Sequence, residues 1–326
     1  MENPLVSIIT PCYNSENYIS RFMECLLSQT YKNIEWIAVN DGSTDSTEEL
    51  INSYRKRLEG SGIKVIYKYQ ANKGLGGAIN TGLKLVTGDF FTWCDSDNLI
   101  TDDCIEEEVK MFISNPEIMI VRCDGYDVLD SDISNPISKM SETVTDKFRK
   151  KLFYNCLTNR DFYFGLTVLR TEAFDRVNPE RNIYPSREGQ NWQLLLPMFY
   201  SYDAYYIDKP MFYFVIRNNS ISNIARNSGV EQILVQNNEY EKIEMETIKS
   251  MNFPEKENCI QMILYHYAVV RFWLYDELDN DVKINEEYKI IKKYSKETPE
   301  IDKVYRRRKN PIWKLLHYIK KQVKQK

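Results

Sequence analysis

The chain of 326 residues contains only two histidines, His266 and His317. A zinc site built from several histidines, or a Ser-His-Asp triad, would have to draw on these two residues alone. Acid–base chemistry near neutral pH is therefore expected to depend mainly on carboxylates, of which the chain has 47.

Cysteine pairs at metal-binding spacing and long apolar runs are also missing. The seven cysteines are scattered, and no two of them are three residues apart, so the CxxC spacing of zinc and redox sites does not occur. The apolar run at residues 5–10 (LVSIIT) is too short for a secretory signal, and no stretch approaches the roughly 20 apolar residues of a membrane span. We therefore expect reduced thiols and a soluble, cytoplasmic catalytic body.

The overall composition is that of a globular protein. Hydrophobic residues make up 43% and charged residues 28%, and the length suits one large or two modest domains. The net charge of −4 provides no general attraction to nucleic acid, so no nucleic-acid partner is expected.

Short apolar runs alternate with segments of helical spacing in the first half of the chain. The strand candidates there are residues 5–10, 34–39, 63–67, 90–94 and 118–121. This alternation predicts an α/β fold with a mostly parallel central sheet that helices cover on both faces. Because ligands of such sheets bind at the carboxyl ends of the strands, we look for function in the residues that follow each strand candidate.

The second half of the chain has a different pattern. A polar segment at residues 129–145 predicts a loop. Three further strand candidates follow at residues 166–169, 204–207 and 211–216. From about residue 226 the pattern is helical, so we expect a catalytic domain over residues 1–225 and a helical C-terminal region over residues 226–326.

Asp95, Ser96 and Asp97 directly follow the fourth strand candidate in the segment FFTWCDSDN. Two carboxylates two residues apart at a strand end can share a divalent cation with a bound phosphate, and oxygen ligands favour Mg²⁺ or Mn²⁺ over zinc. The alternative is that Asp97 and Asn98 only cap a helix that begins near Thr101.

The ends of the first two strand candidates also carry groups suited to a nucleotide. Asp41 closes the second strand in the segment NDGSTD, where it can accept a hydrogen bond from a nucleobase or a ribose. The alternative there is an Asx turn that leads into a helix. At the end of the first strand, Pro11 supplies a rigid bend and Tyr13 a ring that can stack on a base.

The glycine-rich segment NKGLGGAIN follows the third strand candidate but does not fit a dinucleotide fingerprint. The third glycine of GxGxxG would fall on Ile79, and the fingerprint belongs after the first strand of its unit. The P-loop pattern is absent as well. A nicotinamide enzyme and ATP- or GTP-driven phosphoryl transfer therefore have little support.

Four segments together resemble the inverting, metal-dependent nucleotide-sugar glycosyltransferases of family 2. They are VSIITPCYNSENYI, IEWIAVNDGSTDST, NKGLGGAINTGLKLVTGDFFTWCDSDN and KPMFYFVIRNNSIS, in matching order and spacing over about residues 5–222. The resemblance implies a GT-A fold, in which a nucleotide-binding α/β half and an acceptor-binding half share one central sheet. It also implies a UDP-sugar donor and Mn²⁺ or Mg²⁺ as cofactor.

The resemblance also assigns roles to residues of these segments. The nucleotide-binding candidates are Pro11, Tyr13 and Asp41 at the uridine, Lys73 near the pyrophosphate, and Asp95, Ser96 and Arg217 further along the nucleotide. Asp97 would be the main metal ligand, with Asp95 at the metal or the ribose. Arg217 stands near the place where a histidine is common in the family. It can contact the diphosphate as a fixed cation or remain a solvated surface residue.

One family feature is missing from the sequence. The Glu-Asp pair that usually opens the helix before the last strands is replaced by Gln190 and Asn191, and amides cannot take up a proton at pH 7. Glu188, slightly upstream, is our candidate for the catalytic base. The alternatives are that Asp161 or Asp175 replaces it, or that Glu188 only supports the helix dipole.

The segment 303–326 is strongly basic, with ten Lys and Arg residues and no acids. Apolar residues recur in it at helical spacing, namely Ile312, Leu315, Leu316, Ile319 and Val323. A cationic helix with one apolar stripe suits an anionic membrane surface. The alternative is a helix that docks its apolar stripe on the acidic remainder of the chain.

These observations predict a glycosyltransferase, peripheral on the inner face of the plasma membrane, that adds a sugar to a glycan or lipid-linked oligosaccharide during assembly of a bacterial surface polysaccharide. Two rival hypotheses remain. A sugar-1-phosphate nucleotidyltransferase would need a glycine-rich loop after the first strand, where this chain has PCYNSEN. A catalytically degenerate scaffold would explain the missing Glu-Asp pair.

Overall fold

The computed structural model of the protein describes residues 3–158, 161–217, 220, 229–313 and 316. The chain forms two compact units, which are Met1–Ser220 with Lys249–Met251, and Ile221–Ile248 with Asn252–Lys326. The domain boundary expected at residue 225 falls among residues that lie outside the described part of the chain.

A nine-stranded sheet runs through the first unit. Its strands are β1 (Val6–Cys12), β2 (Ile34–Asp41), β3 (Lys64–Gln70), β4 (Phe90–Trp93), β5 (Leu99–Ile100), β6 (Ile120–Leu129), β7 (Ser138–Lys139), β8 (Thr167–Arg170) and β9 (Ala204–Ile216). The helices of this unit are α1 (Ile19–Ser28), α2 (Thr47–Gly60), α3 (Gly74–Leu83), α4 (Cys104–Ser114), α5 (Phe153–Leu157), α6 (Thr171–Val177) and α7 (Gln190–Ser201), with a 3₁₀ turn at Met140–Thr143.

The strand order is β3-β2-β1-β4-β8-β6-β9-β5, with β7 beside β6. Strands β1 to β4 are parallel to one another, as the alternation of strands and helices predicts. Strand β8 is antiparallel to both of its neighbours, whereas β6 and β9 are parallel. The predicted α/β fold is confirmed, and the sheet is parallel in its first half and mixed in its second.

The core of the first unit lies on both faces of the parallel strands. Every residue of β1 and of β2 is buried, which is the pattern of a parallel sheet that helices cover on both sides. Phe22 of α1 and Trp36 of β2 are fully buried and have ring centroids 6.3 Å apart. Burial of each such side chain contributes roughly 1.5–3 kcal/mol, so helix packing holds the strand ends in fixed positions.

Two strands differ from the sequence-based expectation. Pro11 does not end β1 but lies inside it, opposite Val39 of β2. Its missing N–H is tolerated because the pairing of β1 with β4 ends at Ile9. The candidates at 204–207 and 211–216 form the single strand β9, whose register against β6 shifts around Asp124.

The second unit consists of helices α8 (Val230–Ser250), α9 (Lys256–Glu277), α10 (Asp281–Tyr294) and α11 (Pro299–Lys309). The Arg271 Nε of α9 donates to Glu287 Oε1 of α10 at 2.9 Å, and its Nη1 bonds Glu241 of α8. Three helices are therefore tied together by one buried guanidinium. Among the described residues, no helix combines the length and hydropathy needed to cross a bilayer.

Part of the basic segment belongs to this helical unit. Residues 303–309 of the segment form the end of helix α11. The Arg308 side chain is buried and pairs with three aspartates, Asp276, Asp279 and Asp281. Ile312 is 69% exposed and Leu316 60% exposed. Most of the remaining residues beyond Trp313, including the predicted stripe positions 315, 319 and 323, lie outside the described part of the chain.

Candidate active site

The loops after β1, β2 and β4 are joined by side-chain hydrogen bonds. Asn14 Oδ1 accepts from the backbone N–H of Thr44 at 2.9 Å, and Thr47 Oγ1 accepts from the N–H of Ser15 at 2.8 Å. The hydroxyls of Ser15 and Ser96 are 2.9 Å apart. Ser96 therefore anchors the DSD segment to the loop after β1. The three strand ends form one continuous polar surface.

Asp41 lies at the end of β2 and is 3% exposed. Its Oδ1 accepts from Gln70 Nε2 at 2.7 Å and from the backbone N–H of Lys73 at 2.8 Å. The side chain thus fixes the start of the glycine-rich segment, while Oδ2 accepts no hydrogen bond from the described residues. Tyr13, one residue beyond β1, is 55% exposed, so its ring is available for stacking.

Asp95 follows β4 and carries a buried carboxylate oxygen. Its Oδ1 is buried and has no hydrogen-bond partner within the described residues. Burial, followed by the nearby charge of Asp97, raises the pKa of Asp95 to about 7, although the Arg217 charge lowers it in part. A cation would stabilise the ionised form of a carboxylate that is buried beside a second acid.

Arg217, just beyond β9, lies directly over this acidic pair. Its Nη2 donates to Asp97 Oδ2, and its guanidinium carbon is 4.1 Å from the ring centroid of Tyr18. Burial alone would lower the pKa of Arg217, but the charge of Asp97 raises it above its usual value. The structure thus brings Asp95, Asp97 and Arg217 together. It adds Tyr18, whose only signal in the sequence was its place in the first matching segment.

The acidic pair is held by the loop and does not cap a helix. Asn98 Oδ1 accepts from the backbone N–H of Val215 in β9 at 3.1 Å, which fixes the loop to the sheet. Helix α4 begins only at Cys104, so the capping alternative for Asp97 and Asn98 is wrong. The residues fit a Mg²⁺ or Mn²⁺ ion, because they supply carboxylate oxygens and one of these oxygens is buried without a partner.

The start of α7 faces this region through Trp93. Trp93 Nε1, at the end of β4, donates to Asn191 Oδ1 at 2.7 Å. Gly189 precedes the helix with φ of 77°, a conformation that favours glycine. Glu188 is half-buried just before this turn, and its carbonyl oxygen accepts from Ser186 Oγ at 2.6 Å. The structure therefore places Gln190 and Asn191 at the helix start and Glu188 immediately before it.

The two alternative bases are both engaged in ion pairs. Asp161 accepts hydrogen bonds from Thr145 and Arg149, which lower its pKa to about 2. Asp175 pairs with the guanidinium of Arg181 through both of its oxygens. The low pKa of Asp161 makes it a poor proton acceptor near neutral pH, and both oxygens of Asp175 are occupied by Arg181.

The glycine-rich segment has a packing role that its sequence did not reveal. The backbone N–H of Gly76 donates to the carbonyl of Ser186 at 2.8 Å. A Cβ at Gly76 would lie 2.7 Å from the carbonyl oxygen of Tyr184, so only glycine fits this close approach. The segment therefore holds the loop that carries Glu188, and Lys73 at its start is exposed.

A parallel nucleotide-type half, a mixed second half and paired carboxylates at their junction define the GT-A class of glycosyltransferases. The sequence model of glycosyl transferase family 2 matches residues 7–177, so the chain belongs to this family. This match confirms the family resemblance.

Similar proteins include an uncharacterized glycosyltransferase of Rickettsia typhi, 42% identical over 130 residues, which are 39% of this chain and 38% of the relative. The putative glycosyltransferase EpsH of Bacillus subtilis is 30% identical over 228 residues, or 68% of this chain and 63% of that protein. The chain thus spans less than two thirds of the length of these relatives.

Two solved structures share the fold. TarS 1–349 of S. aureus, in complex with UDP-GlcNAc, has a TM-score of 0.59 at 20% identity, covering 81% of this chain and 72% of that one. The mannosyltransferase PcManGT of Pyrobaculum calidifontis, in complex with GDP-Man and Mn²⁺, has a TM-score of 0.56 at 14% identity, covering 83% and 72%.

Proposed function

We propose that the protein is an inverting, metal-dependent glycosyltransferase that moves a sugar from a UDP-sugar to a hydroxyl of a glycan or lipid-linked oligosaccharide. The observation that carries this proposal is the acidic pair after β4, where the buried Oδ1 of Asp95 has no hydrogen-bond partner within the described residues. The fold-sharing structures with UDP-GlcNAc and with GDP-Man and Mn²⁺ support a nucleotide-sugar donor.

The donor nucleotide occupies the joined strand ends in this proposal. Asp41 accepts a hydrogen bond from the uracil or ribose through Oδ2, because Oδ1 already binds Gln70 and Lys73. The exposed ring of Tyr13 stacks on the base, and Pro11 fixes the backbone before it. The ammonium of Lys73 then lies beside the pyrophosphate.

Asp97 and Asp95 are the residues that would hold Mn²⁺ or Mg²⁺, which neutralises negative charge on the leaving diphosphate. Arg217 has two successive partners in this proposal. It pairs with Asp97 in the structure and would turn its guanidinium to the diphosphate of a bound nucleotide. The ring of Tyr18 keeps the guanidinium over the site in both positions.

Glu188 is the proposed catalytic base, which removes the proton of the attacking acceptor hydroxyl. The ion pairs of Asp161 and Asp175 favour it over those two residues. Asn191, held by Trp93 through its oxygen, keeps its amide N–H groups to orient the hydroxyl. Glu188→Gln should abolish sugar transfer but leave binding of UDP and Mn²⁺ unchanged in calorimetry. Full activity in this variant would refute the assignment.

The decisive experiment measures UDP release from a panel of UDP-sugars with Mn²⁺, with and without a chelator. We expect the chelator to stop turnover with the preferred sugar, and Asp97→Asn to lower kcat/KM by roughly 10²–10³-fold. Asp102→Asn is the matched control, because it removes an exposed carboxylate five residues away. Turnover that is unchanged by the chelator or by Asp97→Asn would contradict the proposal, and a chain without turnover that still binds UDP would favour the scaffold.

We further propose that the basic segment brings the enzyme to an anionic membrane surface on the cytoplasmic side. The exposed Ile312 and Leu316, one helical turn apart, and the exposed Arg306 and Arg307 support this role. Removal of residues 310–326 leaves the ion pairs of Arg308 intact. Flotation with anionic vesicles should fall to the level seen with neutral ones, and undiminished flotation would exclude the role.

A further inference from the structure

A second group of metal-ligating side chains lies behind the active-site loop, in the core of the first unit. Cys104 and Glu108 are one turn apart on α4, and Cys123 belongs to β6. All three are 0% exposed. The two thiol sulfurs and a carboxylate oxygen lie within 4.8 Å of one another.

Glu108 is the unusual member of this cluster. Both of its carboxylate oxygens are buried and have no hydrogen-bond partner within the described residues. Glu35, equally buried, instead accepts hydrogen bonds from Ser7 and Thr87. A polar group buried without a hydrogen-bond partner costs about 1–3 kcal/mol. Glu108 therefore destabilises the fold unless a ligand binds its oxygens.

Burial dominates the electrostatics of the cluster. It is the largest of the causes that raise the pKa of Glu108 and the pKa of Cys104 well above their usual values.

We propose that Cys104, Cys123 and Glu108 bind a zinc ion that fastens α4 to β6. Thiolates are soft ligands and select zinc over Mg²⁺ or Mn²⁺. Two sulfurs at about 2.3 Å from zinc in tetrahedral geometry are about 3.8 Å apart, which the cluster allows. Binding releases three protons, and the two thiolates and one carboxylate leave the site with one net negative charge.

The three side chains leave the fourth position of a tetrahedral zinc ion to a water molecule. The zinc site is separate from the acidic pair, because its ligands come from α4 and β6 and two of them are sulfurs.

The test is the zinc content of the 326-residue protein, which is expressed in medium with added zinc and then dialysed against a weak chelator. We expect about one tightly held zinc per chain by elemental analysis. Cys104→Ser and Cys123→Ser should each retain less than about a tenth of it. Cys259→Ser is the matched control, since Cys259 is a buried cysteine of the other unit, and it should keep the full amount.

Cobalt(II) bound to the wild-type protein reports thiolate ligands by its absorption, so this measurement does not depend on whether a cysteine variant folds. Cobalt(II) in the wild-type protein should show thiolate-to-metal charge-transfer absorption, and the band should persist when Asp95 and Asp97 are both changed to Asn. Wild-type protein without zinc and without this band would overturn the proposal. A band that survives in Cys104→Ser, or a disulfide between Cys104 and Cys123 in the purified protein, would overturn it as well.

Discussion

Two clusters of buried charge, one in each unit, are balanced differently. In the helical unit, Arg271 lies between two glutamates, and its Nε donates to Glu287 at 2.9 Å, so each charge has an opposite partner. In the catalytic unit, Asp97 pairs with Arg217, but Asp95 Oδ1 has no partner within the described residues. The first cluster stabilises the fold, whereas the second is suited to bind a further cation.

The largest effect is expected where a pair is broken in the helical unit. Arg271→Met leaves Glu241 and Glu287 buried without their cation, so the free energy of unfolding should fall by about 3–5 kcal/mol. Denaturant unfolding followed by circular dichroism measures this loss. The same change at Arg57, which pairs with Glu24 on the surface, should leave the free energy of unfolding nearly unchanged, because solvent screens exposed ion pairs. Equal losses at both positions would refute the comparison.

Glu244 is a buried acid of the helical unit that has no cationic partner among the described residues. Its Oε1 accepts from the Tyr267 hydroxyl at 2.7 Å, and burial raises its pKa from 4.5 to about 8. The folded state therefore binds more protons than the unfolded state between these values, and stability falls as pH rises through them. The loss is about 1.4 kcal/mol per pH unit.

Glu244→Gln should remove this slope. Between pH 6 and pH 8, the wild-type free energy of unfolding should drop by about 2–3 kcal/mol more than that of the variant. The exposed Glu239 of the same helix provides the control, because Glu239→Gln should retain the wild-type slope. Parallel pH profiles for wild type and Glu244→Gln would show that Glu244 is ionised in the folded protein.

A smaller effect is expected in the catalytic unit, where Arg217 is the partner of Asp97. If Asp97 holds the metal ion as proposed, Arg217, which pairs with Asp97, competes with that ion. Arg217→Gln should then bind Mn²⁺ alone about tenfold more tightly, a gain of about 1.4 kcal/mol. The variant should also bind UDP about tenfold more weakly, because it lacks a cation for the diphosphate. Calorimetry with each ligand measures both constants. Lys56→Gln, an exposed charge removed from α2, should change neither constant, and an unaltered Mn²⁺ affinity in Arg217→Gln would exclude the competition.

Local pattern in the sequence predicted the parallel half of the sheet and the acidic pair. Apolar runs mark strands that are buried on both faces, and the residues after them fall at one edge of the sheet, which made Asp41 and Asp97 candidates. Their roles come from the family resemblance and stay predictions. The antiparallel direction of β8 could not be found in this way, since its four residues carry no signal of direction.

Contacts between distant positions were also beyond prediction. The partner of Asp97 is 120 residues away in sequence, and Gly76 meets the loop at Tyr184 only after the chain has folded. The sequence pattern showed only that the glycine-rich segment fits neither a dinucleotide fingerprint nor a P-loop, whereas close backbone packing explains Gly76. Such pairings depend on tertiary geometry, which a single sequence does not encode in any local period.

The central claim is that the acidic pair after β4 holds the divalent ion of a nucleotide-sugar transferase. Anomalous diffraction from a crystal grown with Mn²⁺ and UDP tests it most directly. The account predicts one strong manganese peak bonded to Asp97, with Asp95 beside it and the diphosphate of UDP on the opposite side. A manganese peak located elsewhere, with Arg217 still paired to Asp97 in the presence of UDP, would contradict it.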